Sequence, residues 1–235
     1  MKAVLIVLLV FIANVCKATE SVLVFTKTEG FRHESIEIGV QTIKELGSQK
    51  DFKVTHTENS EVFSNENLKQ YDLVIFLNTT GDVLNEVEEE AFENYIKKGG
   101  SFMGIHSASD TEFNWPWYGE LVGAYFLDHP KQSEATIKRI IKNHITKHLP
   151  KKWTRFDEWY NFKWISKNIH VLLALDESSY EGGKNGHFHP IAWYQEFDGG
   201  RSFYTGLGHT IESYKEPDFK QHILDGILYC LDREL

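Results

Sequence analysis

Four histidines in this chain stand where the backbone is expected to turn, each near small residues or a proline. They are His33 in Gly30-Phe31-Arg32-His33, His106 in Gly104-Ile105-His106-Ser107, His129 in Asp128-His129-Pro130 and His209 in Gly206-Leu207-Gly208-His209. His189, before Pro190, is a fifth, and Asp157-Glu158 supplies adjacent carboxylates. Neutral imidazoles with one carboxylate suit zinc, iron, manganese or nickel, and leave coordination positions open for water or substrate. No His-x-x-x-His spacing brings two of them onto one helix face, so a metal site needs the fold to gather them. The other reading is a set of hydrogen-bonding histidines in a polar cleft.

The segment that would do the gathering is Lys97 to Asp110. Basic residues at Lys97-Lys98 followed by Gly99-Gly100 mark a helix end. A short apolar strand, Ser101 to Ile105, then runs into small residues and His106. In open α/β sheets, ligands and catalytic groups collect at the carboxyl ends of the strands. The turn resembles the elbow that carries a nucleophile in several α/β enzymes. Here its apex is a histidine and Ser107 comes one residue late, which speaks against covalent acyl chemistry.

Around that segment the chain alternates. Val22 to Thr26 and Asp72 to Leu77 are apolar runs that read as strands buried on both faces. Phe52 to Thr55 is a further strand. A helix carrying Ile36, Val40, Ile43 and Leu46 is expected to stop at Gly47, and another spans Asn85 to Lys98, acidic at its start and basic at its end. Asn65 to Gln70 is a short helical connector. The βαβαβαβ order predicts a parallel sheet with helices on both faces. The second half predicts a helix opening at Trp115 and running through Leu121, and strands at Glu134–Ile141, Val171–Leu175, Ile191–Tyr194 and Ser202–Thr205. A hairpin turn at Asp198–Arg201 precedes the last of these, and a closing helix spans Asp218–Asp232. His144 to Phe162 reads as a long surface loop with a site in it.

The net charge of −9 and the lack of a basic cluster argue against nucleic-acid or anionic-membrane partners. No nucleotide-cofactor motif is evident. Residues 1–18 read as a secretory signal peptide: a basic start, an apolar run too short to span a bilayer, and Cys16-Lys17-Ala18 before the cut. The expectation is an exported chain, periplasmic or secreted, with no transmembrane segment in its mature form; lipid anchoring through Cys16 is the lesser alternative. That leaves Cys230 alone, a small core hydrophobe in the last helix. Aromatic residues are dense near the histidines, among them Phe31, Trp115, Trp117, Trp159, Tyr160 and Trp193. Flat rings beside acids are how proteins hold sugars, and core packing is the alternative for each one.

Six segments in order then carry a resemblance: Gly30-Phe31-Arg32-His33-x-Ser35, Gly104-Ile105-His106-Ser107, His129-Pro130, Glu158-x-Tyr160, His189-Pro190-x-x-Trp193 and Gly200-Arg201-x-Phe203-Tyr204-x-x-x-Gly208-His209. Together they resemble the ThuA-like (trehalose utilisation) family, across residues 19–235 as one domain. The resemblance implies a class I glutamine amidotransferase-like fold, a flavodoxin-like three-layer sandwich with a mostly parallel central sheet. Amidotransferases of that fold read Gly-Ile-Cys at the elbow; His106 stands in the cysteine position, so their activity is not implied. Sugar catabolism is, because the family's namesake is encoded with a dehydrogenase that makes 3-keto disaccharides. The expectation is a protein acting on a keto-sugar or glycoside as a lyase or hydrolase. His106, Glu158 and His209 are its catalytic candidates. His33, His106 and His209 are candidate ligands of a zinc-like divalent ion, and Arg32, Trp115, Trp117, Tyr160 and Trp193 candidate sugar contacts. A non-catalytic carbohydrate-binding protein is the alternative.

Overall fold

Runs without a charged side chain form three adjacent strands in the parallel half of the sheet, because such runs can be covered on both faces. The computed structural model describes residues 19–233; the expected leader, with Cys16, lies outside them. The first half is β1 (Ser21–Phe25), α1 (Ile36–Lys50), β2 (Lys53–Thr57), α2 (Asn65–Leu68), β3 (Leu73–Leu77), α3 (Glu86–Lys97) and β4 (Ser101–Ile105). Every residue of β3 and β4 is buried. Asn85 caps α3 in a reciprocal box with Glu88. Helix α1 runs past Gly47 to a left-handed cap at Asp51. Gly47 is inside the helix because a Cβ there would lie 2.8 Å from both the Phe52 carbonyl and Val54. Its role is close approach to β2, not termination.

The second half is α4 (Pro116–Val122), β5 (Ala124–Asp128), β6 (Ser133–Arg139), β7 (Lys152–Asp157), β8 (Asn161–Ile165), β9 (His170–Leu175), β10 (His189–Phe197), β11 (Gly200–Thr205) and α5 (Pro217–Cys230). Nine strands form one sheet in the order β2-β1-β3-β4-β11-β10-β9-β6-β7, and β5 pairs with β8 in a separate ribbon. Strands β2, β1, β3, β4 and β11 are parallel, in flavodoxin-like order. The rest add antiparallel.

Alternation along the strands divides the core into two layers. On one face Phe102 packs against Phe92 of α3 and Tyr118 of α4. On the other, Phe203 meets His222 and lies against Gly226, both of α5. The result is a three-layer α/β sandwich.

The stretch from His144 to Phe162 is not a long loop: it contains β7 and enters β8. Strand β7 alternates strictly, but its buried face carries Trp153, Arg155 and Asp157 while Phe156 is exposed. A reading by apolar periodicity misses a strand whose inward side is partly charged. No helix among the described residues is long and apolar enough to cross a membrane.

Candidate functional site

His106 is the first residue beyond β4 and sits in the left-handed region at φ 51°. That sharp turn lets the chain leave the strand while the imidazole stays fully buried at the sheet's carboxyl edge. The Tyr204 hydroxyl donates to the His106 carbonyl at 2.7 Å. The ring's Nδ1–H donates to the Gly206 carbonyl at 3.0 Å. The carbonyl can only accept, so Nδ1 carries a proton, and the other ring nitrogen, Nε2, faces His209 Nδ1 at 3.1 Å and Glu158 Oε2 at 3.5 Å.

His209 comes from the loop after β11, and a buried carboxylate holds that loop. Asp157 accepts from the backbone N–H of Gly208 at 3.0 Å and of His209 at 3.1 Å, and from Ser213 Oγ at 3.2 Å. Arg155 lies 3.3 Å from Asp157, both side chains almost fully buried. On the other side Ser35 Oγ donates to the Gly208 carbonyl and accepts from Asn78 Nδ2. His209 is thereby tied to β7, to the start of α1 and to the end of β3.

Glu158 follows β7 and points both ways. Its Oε2 is 3.0 Å from His209 Nδ1, and its Oε1 is 3.2 Å from Nδ1 of the half-exposed His129. Burial opposes ionisation of Glu158. The hydrogen bonds and charge of His106 and His209 outweigh that, and hold its carboxyl well below the usual range. Gln132 Nε2 donates to His209 Nε2 at 2.7 Å, so the His209 ring proton sits on Nδ1 and donates to Glu158. His33, from the loop after β1, packs edge-on against His106 and His209 at ring separations of 4.9 Å. Its Nδ1 lies 3.4 Å from Ser107 Oγ. Burial, then the neighbouring imidazoles, push His33 down to about 2, so it is neutral at ordinary pH. One ligand atom from each of His33, His106, Glu158 and His209 lies within 4.8 Å of the others.

Tyr160 belongs to the same wall, its ring 4.2 Å from His106 and stacked along His129. The remaining sugar-contact candidates are placed elsewhere. Trp115 and Trp117 stack on each other and pack against Phe92, with their indole N–H groups donating to Glu93 and Asp198. Trp193 is fully buried against Tyr204, donating to the Val122 carbonyl. Arg32 is exposed and paired with Glu37 and Glu58. His189 bonds to Glu177 and to the Tyr160 carbonyl, a structural pairing. Residues with no signal in the sequence are Gln132, which orients His209, and Asp110, half-buried and pushed up to about 6 by burial against the pull of Lys163 and His129.

Comparison with known proteins adds a family and a fold. The family model ThuA, described as trehalose utilisation, matches residues 21–230. A ThuA-like protein from Bacteroides uniformis is 23% identical over 94% of this chain and 95% of its own, with a TM-score of 0.79. Another from Parabacteroides merdae is 19% identical over 90% of each chain, with a TM-score of 0.74. A β-galactosidase from Bacillus circulans, 14% identical, shares the fold over 91% of this chain and 30% of its own, with a TM-score of 0.55. No curated protein matches the sequence.

Proposed function

This chain belongs to the ThuA (trehalose utilisation) family, and from that premise we propose that it serves carbohydrate utilisation by acting on a keto-sugar or glycoside at the His33–His106–Glu158–His209 cluster, with a divalent ion held there. The observation that carries this reading is a set of three separations: 3.1 Å from His106 Nε2 to His209 Nδ1, 3.0 Å from His209 Nδ1 to Glu158 Oε2, and 3.5 Å from His106 Nε2 to Glu158 Oε2. Ligands about 2.0–2.1 Å from a tetrahedral zinc stand roughly 3.3 Å apart. The triangle has that size. His33 closes it from the fourth side as a neutral ring. Three imidazoles and a carboxylate suit zinc or a similar first-row ion.

Bound to such a site, the ion would polarise a sugar carbonyl and acidify the neighbouring C–H. The chain's own residues do the rest. The His106 Nδ1–H bond to Gly206 fixes that ring, as ligating histidines require. His209 would hold the ion through Nδ1, with its ring proton then carried on Nε2. A half-turn of the Gln132 amide presents oxygen to that proton. His129 donates its Nδ1–H to Glu158 and the Pro130 carbonyl, which leaves Nε2 free as a base at the solvent-facing rim. His129 Nε2 would take the proton beside the carbonyl, the C–H electron pair would form a C=C bond as the C–O bond to the glycosidic oxygen breaks, and the same proton would pass from His129 to the departing oxygen. Export of the mature chain after residue 18 is part of this proposal.

The test is elemental analysis of protein purified without chelator or affinity metal, beside a His33→Ala/His106→Ala variant. Stoichiometric first-row metal in the parent and its loss in the variant are expected, followed by turnover of keto-glycosides. No such metal in either protein overturns the metal-assisted reading. Saturable sugar binding without product would then make the protein a carbohydrate-binding module.

A further inference from the structure

Glu112 is a fully buried acid that the chemistry above does not use. Its Oε1 accepts from the backbone N–H groups of Val83 and Leu84, each at 2.8 Å. Its Oε2 is buried and accepts from no N–H or hydroxyl group among the described residues; its one polar neighbour is the Asp82 carboxyl, which it can hydrogen-bond only when one of the two acids is protonated. One carboxylate oxygen from each of Asp82, Glu89 and Glu112 lies within 4.8 Å of the other two. Asp82 is exposed and Glu89 half-buried, so the cluster is closed at Glu112 and open to solvent at Asp82. No ion pair among the described residues includes any of the three.

A buried carboxylate oxygen without a donor is costly, and buried charge is ordinarily paired or bound to a metal. Glu89 has partial relief from the first turn of α3, where negative charge is favoured. Glu112 Oε2, when ionised, has no donor among the described residues and faces a second carboxylate. Three carboxylates with no imidazole or thiol make an all-oxygen set, the preference of hard cations that also keep water ligands. We propose that Asp82, Glu89 and Glu112 form a site for a hard divalent cation of the calcium–magnesium class, with Glu112 Oε2 as its buried ligand and water completing the shell beyond Asp82.

The site joins three segments: the loop between β3 and α3, the first turn of α3, and the chain just beyond the turn that begins at His106. A bound cation ties the last of these to the first two. It is independent of the histidine cluster and of the reaction proposed there. The competing neutraliser is a proton, since burial and the nearby Asp82 carboxylate push Glu112 up to about 8.

Thermal melting of the full chain, stripped with chelator and dialysed, decides between them when repeated at neutral pH in millimolar Ca²⁺ or Mg²⁺. A hundredfold excess of cation over Kd raises the melting temperature by about 5 °C or more. The Asp82→Asn/Glu89→Gln variant loses that rise, whereas His33→Ala/His106→Ala keeps it. Equilibrium dialysis of the unsubstituted chain gives the second readout, one cation retained per protein. No rise and no retained cation with either ion, or a rise of equal size in the Asp82→Asn/Glu89→Gln variant, overturns the site and leaves the proton in its place.

Discussion

Replacing Asp157 by asparagine should do more damage than its distance from any substrate suggests. The carboxylate is fully buried, faces Arg155 at 3.3 Å, and accepts from the N–H groups of Gly208 and His209. Arg155 is itself buried, with Nε and Nη1 lacking hydrogen-bond partners among the described residues. Its other compensation comes from Ser213 Oγ, which accepts from Nη2 at 2.6 Å, from Glu216 at 3.3 Å and from the Trp153 and Phe219 rings at 5.0 and 4.9 Å. Removing one partner of a buried pair costs about 3–5 kcal/mol, because the other charge is stranded. The partial compensation by Glu216 lowers the expectation for Asp157→Asn to roughly 2–4 kcal/mol. In a chain of this size that is a fall of roughly 5–12 °C in Tm. Urea denaturation at neutral pH, run as a double-mutant cycle with Arg155→Met, measures it. The double variant should recover at least about 1.5 kcal/mol relative to the sum of the single ones. Because the same carboxylate holds the His209 backbone, metal retention or turnover at the proposed site should also drop about tenfold or more. A single-variant cost under about 1 kcal/mol with no coupling to Arg155 would refute this account of the loop.

Other perturbations test the electrostatics and the packing separately. His33 is held near 2 against 6.5 in the unfolded chain, so the stability it supplies is present above pH 6.5 and lost as pH falls toward 2. His33→Asn should therefore flatten the fall of the urea midpoint below pH 6.5, and an unchanged slope rejects the buried neutral ring. Asp110 is shifted the other way, from 3.8 to about 6, so its contribution is full below 3.8 and lost as pH rises through 6. Asp110→Asn should raise the melting temperature at neutral pH with no gain at pH 3.8; a gain independent of pH would contradict that. Trp117→Ala, which removes packing against Trp115, Phe92 and Phe197, should cost about 2–4 kcal/mol. Sugar binding and turnover per folded molecule should be unaffected, and a loss of affinity at full stability would return Trp117 to the site.

What the sequence determined by itself is the parallel half and the identity of the histidines that cluster at its edge. Apolar runs at β1, β3 and β4 admit no partner but a sheet covered on both faces, and glycine with lysine before β4 marks the register of the elbow. His33, His106 and His209 were legible because each follows such a strand or a glycine turn, where the main chain leaves the sheet. What only the tertiary structure decided is which groups meet and in what state. Strand β7 hides in the sequence because Arg155 and Asp157 occupy its inner face, and only their mutual neutralisation lets a charged pair lie where periodicity expects apolar residues. The tryptophans look alike in a string of letters, yet Trp115, Trp117 and Trp193 fill spaces between layers while Tyr160 lines the histidine wall. Charge and protonation follow the same rule. Glu158 stays ionised, His33 stays neutral and Glu112 is pushed up because of what burial removes and what neighbours supply, and those neighbours are distant in the chain.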